Sequence, residues 1–534
     1  MSRTAVDRTA TGHVSAEDPA HSRTILGHPP GLFLLFLVEM WERFSYYGMR
    51  GLLVLYLIAR TDATFNPGRG WSKADASTLY GWYTGLAYLF PIIGGIIADK
   101  LIGTHRSMLV GGLLISLGHV VLAISGIGDM AHDQIGMSVF VAGLAMIVLG
   151  TGHFKPSVSV MVGQLYRQGD PRRDGAFTIF YMGINLGAFL CAFVCGTLGE
   201  KVGWHWGFGS AAVGMVAGLL LYMMLRPKYL AQIGLPPEGR GGSAPLFILA
   251  SVLLSAVFGW LYHIGAVARF NGLLSPAVVW MLAALVIAAA AWFVILQRPE
   301  DRGPTASIFL FMAFNVFFWL AFEQAGSSIN VFTEQNTDRN LLGTEVPATW
   351  FQSVNAGLIF ILAPLFAGLW TRLGKVGLDP SQPMKIALGL IFLGIGYLFM
   401  VWAGLSVRDG AKASMGLVFL TYLWHTVGEL CLSPTGLSYV TKVAPKRFVT
   451  LLMGIWLVSS FVANLAGGLI ASKVEAIERG EIALPWRFGG QADFFFLFVV
   501  TSLGVGLLVA LATPWLKLLI QGRDQPSTDG GGGH

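Results

Sequence analysis

Six polar side chains share one short segment, EMWERFSYYGMR, at residues 39–50: Glu39, Glu42, Arg43, Tyr46, Tyr47 and Arg50. At about 100° per residue they occupy an arc of about 140° on one helix face. Two carboxylates, two guanidinium groups and two phenols on one stripe can hold protons, pair with one another, and bind ammonium or carboxylate groups. The stripe interrupts an apolar run from Gly31 to Leu57, long enough to cross a bilayer as a helix. A charge at bilayer depth costs roughly 3 kcal/mol on insertion scales, so the stripe is expected to face the protein interior or a watery cavity.

Three further charges lie deep in apolar segments. Lys155 is in GTGHFKPSVS, Glu323 in FWLAFEQAGSS and Glu429 in WHTVGELCLSPTGLS. Lys155 is about 16 Å along a helix from the segment's end at Tyr166, too far for easy snorkelling. Together with the stripe, these give four acids and three bases. Unpaired, they would cost on the order of 20 kcal/mol. Near balance of sign predicts that they meet around one wet cavity. Gly152, Pro156, Pro434 and Gly436 flank two of them and are expected to loosen their helices where a path bends.

The elements that position these groups follow from composition. The chain has 534 residues, is 54% hydrophobic and 12% charged, and contains 68 glycines. Its mean hydropathy is +0.65. A soluble domain carries about twice that charge, so this is an all-α membrane protein. Candidate spans fall at 31–58, 77–99, 107–127, 137–165, 174–199, 206–225, 244–265, 275–297, 305–333, 347–374, 384–404, 414–441, 449–472 and 493–519. These predict 14 transmembrane helices. The loops and tails on the N-terminal side carry roughly twice the Lys and Arg of the other side, which places both termini in the cytoplasm. The net charge of +6 is assigned to those loops, and no nucleic-acid partner is expected.

The seventh and eighth spans have few polar groups suited to a path. They follow a linker, Arg226 to Gly242, rich in Gly, Pro and charge. Without them six spans remain on either side. The expected plan is a disordered cytoplasmic tail (1–30), an N-terminal six-helix bundle (31–226), a linker with an inserted two-helix hairpin (227–304), a C-terminal six-helix bundle (305–520) and a cytoplasmic tail (521–534). The buried charges then sit on the first and fourth helices of each bundle. Cys191, Cys195 and Cys431 all lie in apolar segments, and no disulfide or Cys/His metal spacing is expected.

The loop GGIIADKLIGTHR, with Gly95, Asp99, Lys100, Gly103 and Arg106, resembles the G-x-x-x-D-[RK]-x-x-G-x-[RK]-[RK] loop of the major facilitator superfamily, with His105 at one basic position. Asp99 and Arg106 are expected to form a gating latch between helices. E-x-x-E-R-F-x-Y-Y-G at Glu39 to Gly48 resembles the hallmark of proton-dependent oligopeptide transporters. FYMGINLG at 180–187, GTGHFKPSVS, FWLAFEQ and GELCLSPTGLSYVTKVAP resemble further blocks of that family, in its bacterial type with an inserted hairpin.

The resemblance implies a major facilitator fold and import of di- and tripeptides driven by the proton gradient, with no cofactor and no metal. It implies that Arg50 and Lys155 hold the peptide carboxylate, and that Asn185, Asn355 and Glu429 hold the amino end. Tyr46, Tyr47, Tyr88, Trp319 and Trp456 would line side-chain pockets. Glu39, Glu42, Arg43, Lys155 and Glu323 would couple to protons, with Glu323 as the principal acceptor. Gly81 stands near the place where some animal members have a proton-accepting histidine, so this chain is expected to rely on carboxylates. The expected setting is the bacterial inner membrane, with peptides, protons and lipid as partners and the monomer as the working unit.

One rival is a same-superfamily carrier of nitrate or another small anion. Another is a membrane-embedded enzyme, but G-x-S-x-G, H-E-x-x-H and phosphate-cradling Gly loops are missing. A channel or structural protein would not accumulate solute.

Overall fold

The structure, a computed structural model, describes residues 24–520 apart from 168, 238–241, 409 and 433–435; side chains at 276, 436–438 and 450 also lie outside it. Most of the N-terminal tail, the C-terminal tail and Pro434 therefore fall outside the described residues, as do the surroundings of Gly436.

Fourteen long helices follow in order. In the first half these are α1 (Pro30–Ile58), α2 (Lys73–Ile97), α3 (Thr104–Ile124), α4 (Gln134–Gln164), α5 (Arg172–Cys191) and α6 (Trp204–Tyr229). The hairpin is α7 (Ala244–His263) and α8 (Pro276–Ile295), joined by a short helix, Ala266–Leu273. The second half has α9 (Pro299–Phe322), α10 (Gln352–Lys375), α11 (Gln382–Ser406), α12 (Met415–Leu432), α13 (Val449–Ala471) and α14 (Gln491–Ile520). Among the described residues, thirteen of these are long and apolar enough to cross a membrane. α1 is more polar, because Glu39, Glu42, Arg43 and Arg50 cluster mid-helix, yet its 29 residues extend for about 43 Å.

Local sequence sets several starts. Pro30 opens α1 at a position where its missing N–H costs nothing. Ser72 caps α2 by accepting from Asp75 N, and Asp133 caps α4 by accepting from Gly136 N. Two boundaries differ from expectation. α6 continues through Arg226, Pro227 and Lys228 to Tyr229, so the linker begins later. The predicted span 305–333 is broken: α9 stops at Phe322, a 3-10 turn holds Glu323–Gly326, and a separate helix runs Ser328–Asn336. The turn places Glu323 at a helix end rather than inside a regular helix.

The same packing scheme appears in both halves. α1 lies against α5 and α6, α3 against α4 and α6, and α2 against α4. In the second half α9 lies against α13 and α14, α11 against α12 and α14, and α10 against α12. The halves meet where α2 crosses α13 and where α5 crosses α10. The first crossing needs glycine on both sides: a Cβ at Gly81 would lie 2.9 Å from the Gly468 Cα. That close approach leaves no room at position 81 for a histidine side chain.

α7 lies on α3 and α4, where Phe247, Ile248 and Val252 cover Val110 and Leu114. The apolar stretch of α8 buries none of its residues in the protein, as a lipid-facing scaffold would. Its end meets the second half through Phe293, which stacks edge-on against Phe448 at 5.2 Å.

Candidate functional site

A cavity of about 250 Å³ lies between the halves. Its wall includes Tyr47, Arg50, Tyr88 and Asn185 from the first half, and Trp319, Glu323, Gln352, Asn355, Tyr422 and Glu429 from the second. Helices α1, α2 and α5 thus face α9, α10 and α12. The predicted acids and bases come from these helices and from α4.

Arg50 reaches across the interface. Its Nη2 donates to Glu323 Oε2, and its Nε donates to Tyr80 Oη at 2.6 Å. The guanidinium also lies over the rings of Tyr47 and Tyr80, at 5.6 and 5.8 Å from their centroids. Arg50 and Glu323 are each 5% exposed. A buried pair of this kind is costly to break from one side only, because the partner keeps an uncompensated charge.

On the opposite wall Asn355 Nδ2 donates to Glu429 Oε2 at 2.8 Å and to Thr426 Oγ1 at 3.0 Å. The amide orients the carboxylate and leaves its other oxygen for a donor from the cavity. Trp319 Nε1 is tied to Asn315 Oδ1 at 3.0 Å, which fixes the indole as part of the wall. Asn185 donates to the Tyr181 carbonyl at 3.1 Å, leaving its amide oxygen free to accept.

The seven charges do not all meet around one chamber. Arg43 is taken up by its own helix: its Nε lies 2.7 Å from Glu39 Oε1 and 3.0 Å from Glu42 Oε2. These three groups form a second cluster inside the first half, away from the cavity wall. Glu39 and Glu42 are 1% and 0% exposed, so the stripe faces the protein interior, as expected. Lys155 stands behind the wall, with Nζ 3.9 Å from the centroid of the Tyr88 ring. Among the described residues no carboxylate comes within 4.0 Å of it. The amine is therefore held by a ring face.

Two expected pocket aromatics lie elsewhere. Tyr46 stacks on Tyr83 at 6.2 Å, and Trp456 belongs to the apolar core of the second half. Neither is among the cavity-lining residues. The expected latch is not formed either. Asp99 is exposed and makes no ion pair among the described residues, while Arg106 donates to the Gly242 carbonyl at 3.4 Å. The loop is instead fastened to the linker through His105 N, which donates to Gly234 O at 3.0 Å, and to α6 through His105 Nδ1, 2.7 Å from Tyr222 Oη. Exposed charges in water gain little from pairing, and backbone contacts hold the loop in their place.

The POT family profile matches residues 105–484. The chain belongs to the POT family. It is 38% identical over 472 residues to the peptide transporter YePEPT of Yersinia enterocolitica, covering 85% of this chain and 89% of that one. It is 34% identical over 510 residues to a di-/tripeptide transporter of Lactococcus lactis subsp. cremoris, covering 93% and 98%. A crystal structure of a peptide transporter POT in complex with sulfate superposes with a TM-score of 0.77 at 34% identity, over 93% of this chain and 97% of that one. A POT family transporter in complex with 5-aminolevulinic acid gives a TM-score of 0.75 at 29% identity, over 92% and 98%. Family and fold therefore agree that this is a multi-pass membrane transporter with two bundles and an inserted hairpin.

Several site residues of this POT protein escaped the sequence reading: Gln352 and Tyr422 line the cavity, and Tyr80, outside its lining, holds Arg50. Tyr80, Gln352 and Tyr422 carry uncharged polar groups in apolar helices, so nothing in composition separates them from packing residues. Tyr80 had one usable signal: it lies eight residues before Tyr88 on α2 and thus on nearly the same face.

Proposed function

We propose that this POT protein is a proton-coupled symporter that imports di- and tripeptides by alternating access. The observation that carries this is the cavity's charge layout, with Arg50 on one wall and Glu429, held by Asn355, on the opposite one. A zwitterion with separated ends suits both: its carboxylate faces the guanidinium and its ammonium faces the carboxylate. Tyr47, Tyr88 and Trp319 offer broad faces between those ends that accept varied side chains. A nitrate ion would bring no cation to Glu429.

Coupling follows from the Arg50–Glu323 pair. While Glu323 is ionised it occupies Arg50. A proton on Glu323 removes the attraction and frees the guanidinium for the peptide carboxylate. Peptide binding is then favoured by protonation, and protonation by peptide, to the same extent. Glu39, Glu42, Arg43 and Lys155 form the supporting store of charge in the first half. Lys155 reaches the substrate carboxylate by moving from behind Tyr88. Nothing beyond the proton gradient is required as a driving agent, and one copy contains every group named. The loop charges support both termini in the cytoplasm, and the likeness to bacterial relatives supports the bacterial inner membrane.

Uptake of labelled dialanine into liposomes tests the substrate class. Competition by tripeptides and not by nitrate is the expected result; competition by nitrate alone contradicts it.

A further inference from the structure

The end of the bundles distal to Pro30 is closed by contacts between the halves, and one side chain dominates them. Glu200 follows α5, after a π-turn at Ala192–Gly196 and within the short helix Thr197–Lys201. Its carboxylate crosses to the second half. Oε2 accepts from Ala348 N at 2.9 Å, and Oε1 accepts from Thr349 N at 2.9 Å and Thr349 Oγ1 at 2.7 Å. Arg339 Nη1 lies 3.6 Å from Oε2.

Those N–H groups begin the 28-residue helical run Ala348–Lys375 that contains α10. The residue before it is Pro347, which has no side-chain acceptor, and the run has no cap of its own. The first half therefore supplies the cap for a helix of the second half. The carboxylate satisfies orphan donors and meets the positive end of the helix dipole. Neighbouring contacts lock the same seam: Trp350 Nε1 donates to Thr197 Oγ1 at 2.9 Å, and Ser353 Oγ donates to the Phe189 carbonyl at 3.1 Å. Gly196 is required there, since a Cβ would collide with the Thr349 side chain.

The cap is also separable. Arg339 keeps Glu334 at 2.7 Å, Glu345 at 2.9 Å and the Val346 carbonyl at 2.6 Å if Glu200 leaves. The freed N–H groups and the carboxylate can then be solvated. No second-half charge is stranded by opening, so the contact can form and break in each cycle.

We propose that Glu200 is a gating residue: its carboxylate, by capping the helix that begins at Ala348, holds the distal end shut and sets the balance between the two access states. This rests on the alternating-access reading above. Lys201 and Glu345, 3.6 Å apart and 41% and 56% exposed, serve as the contrast, because a rim pair of that kind contributes little.

The test is the distance between nitroxide labels at Asp62→Cys and Leu342→Cys, both exposed at the distal end on opposite halves. The protein is reconstituted with Cys191, Cys195 and Cys431 replaced by alanine. In the parent the short distance should dominate. Glu200→Ala should raise the long-distance population roughly tenfold, as the loss of a cap predicts, and Glu200→Gln should give a smaller rise. Lys201→Ala should leave the distribution unchanged. An unchanged distribution in folded Glu200→Ala, or an equal shift in Lys201→Ala, overturns the assignment. If no condition, including acid pH with peptide, produces a long distance in any variant, alternating access itself fails, and the two failures are told apart.

Discussion

Arg50 of α1 donates to Glu323 at the break after α9, and this pair joins the two halves at the wall of the cavity. Each side chain is buried apart from the face it turns to the cavity. Whatever protonates Glu323 or draws Arg50 away acts on the interface between the bundles.

Glu323→Gln keeps the shape of the side chain and removes the charge. Gradient-driven accumulation of dialanine should fall at least tenfold. Exchange of peptide across liposomes without a gradient should persist, since Arg50 is then permanently available. Retained accumulation under an imposed pH gradient would show that another acid carries the proton.

Lys155→Ala removes the amine behind Tyr88. Accumulation should be lost while the protein remains folded, because the amine is packed on a ring and not buried in an ion pair. Near-normal accumulation would remove Lys155 from both coupling and carboxylate binding.

Glu429→Gln and Asn355→Ala should raise the KM for dialanine about tenfold, the loss of a charge-assisted contact worth 1.5–3 kcal/mol offset by partial rescue from water. N-acetyl-dialanine lacks the ammonium, so its weak uptake should change little. Equal effects on both compounds would indicate damage to the cavity rather than loss of an amino-end contact.

Gly468→Val should force α13 away from α2, where the added Cβ would meet the backbone of Gly81. Overpacking of this kind costs about 1–3 kcal/mol, so Tm should fall by several degrees and uptake with it. An unchanged Tm would mean that the crossing can widen freely.

The limits of the sequence lie in who pairs with whom. The stripe on α1 was legible because charge in an apolar run has few explanations, and the burial of Glu39 and Glu42 agrees. Lys155, Glu323 and Glu429 were legible for the same reason, and the 14 spans followed from hydropathy. Pairing was not legible: Arg43 turns to its own helix while Arg50 crosses to Glu323, although both occupy the same stripe. The break that holds Glu323 follows ordinary helix-compatible residues. Trp456 and Tyr46 read as pocket aromatics, yet their rings are used in packing. Glu200 was not singled out in the sequence, because its partners are backbone N–H groups 148 and 149 residues away, which no local pattern announces.

The most direct measurement is the accumulation ratio of labelled dialanine in liposomes of purified protein, with and without an imposed pH gradient, acid outside. The expected result is an internal concentration above the external one only with the gradient, collapsing when a protonophore is added. Uptake that merely equilibrates, and does so equally with and without the gradient, would contradict proton-coupled peptide import.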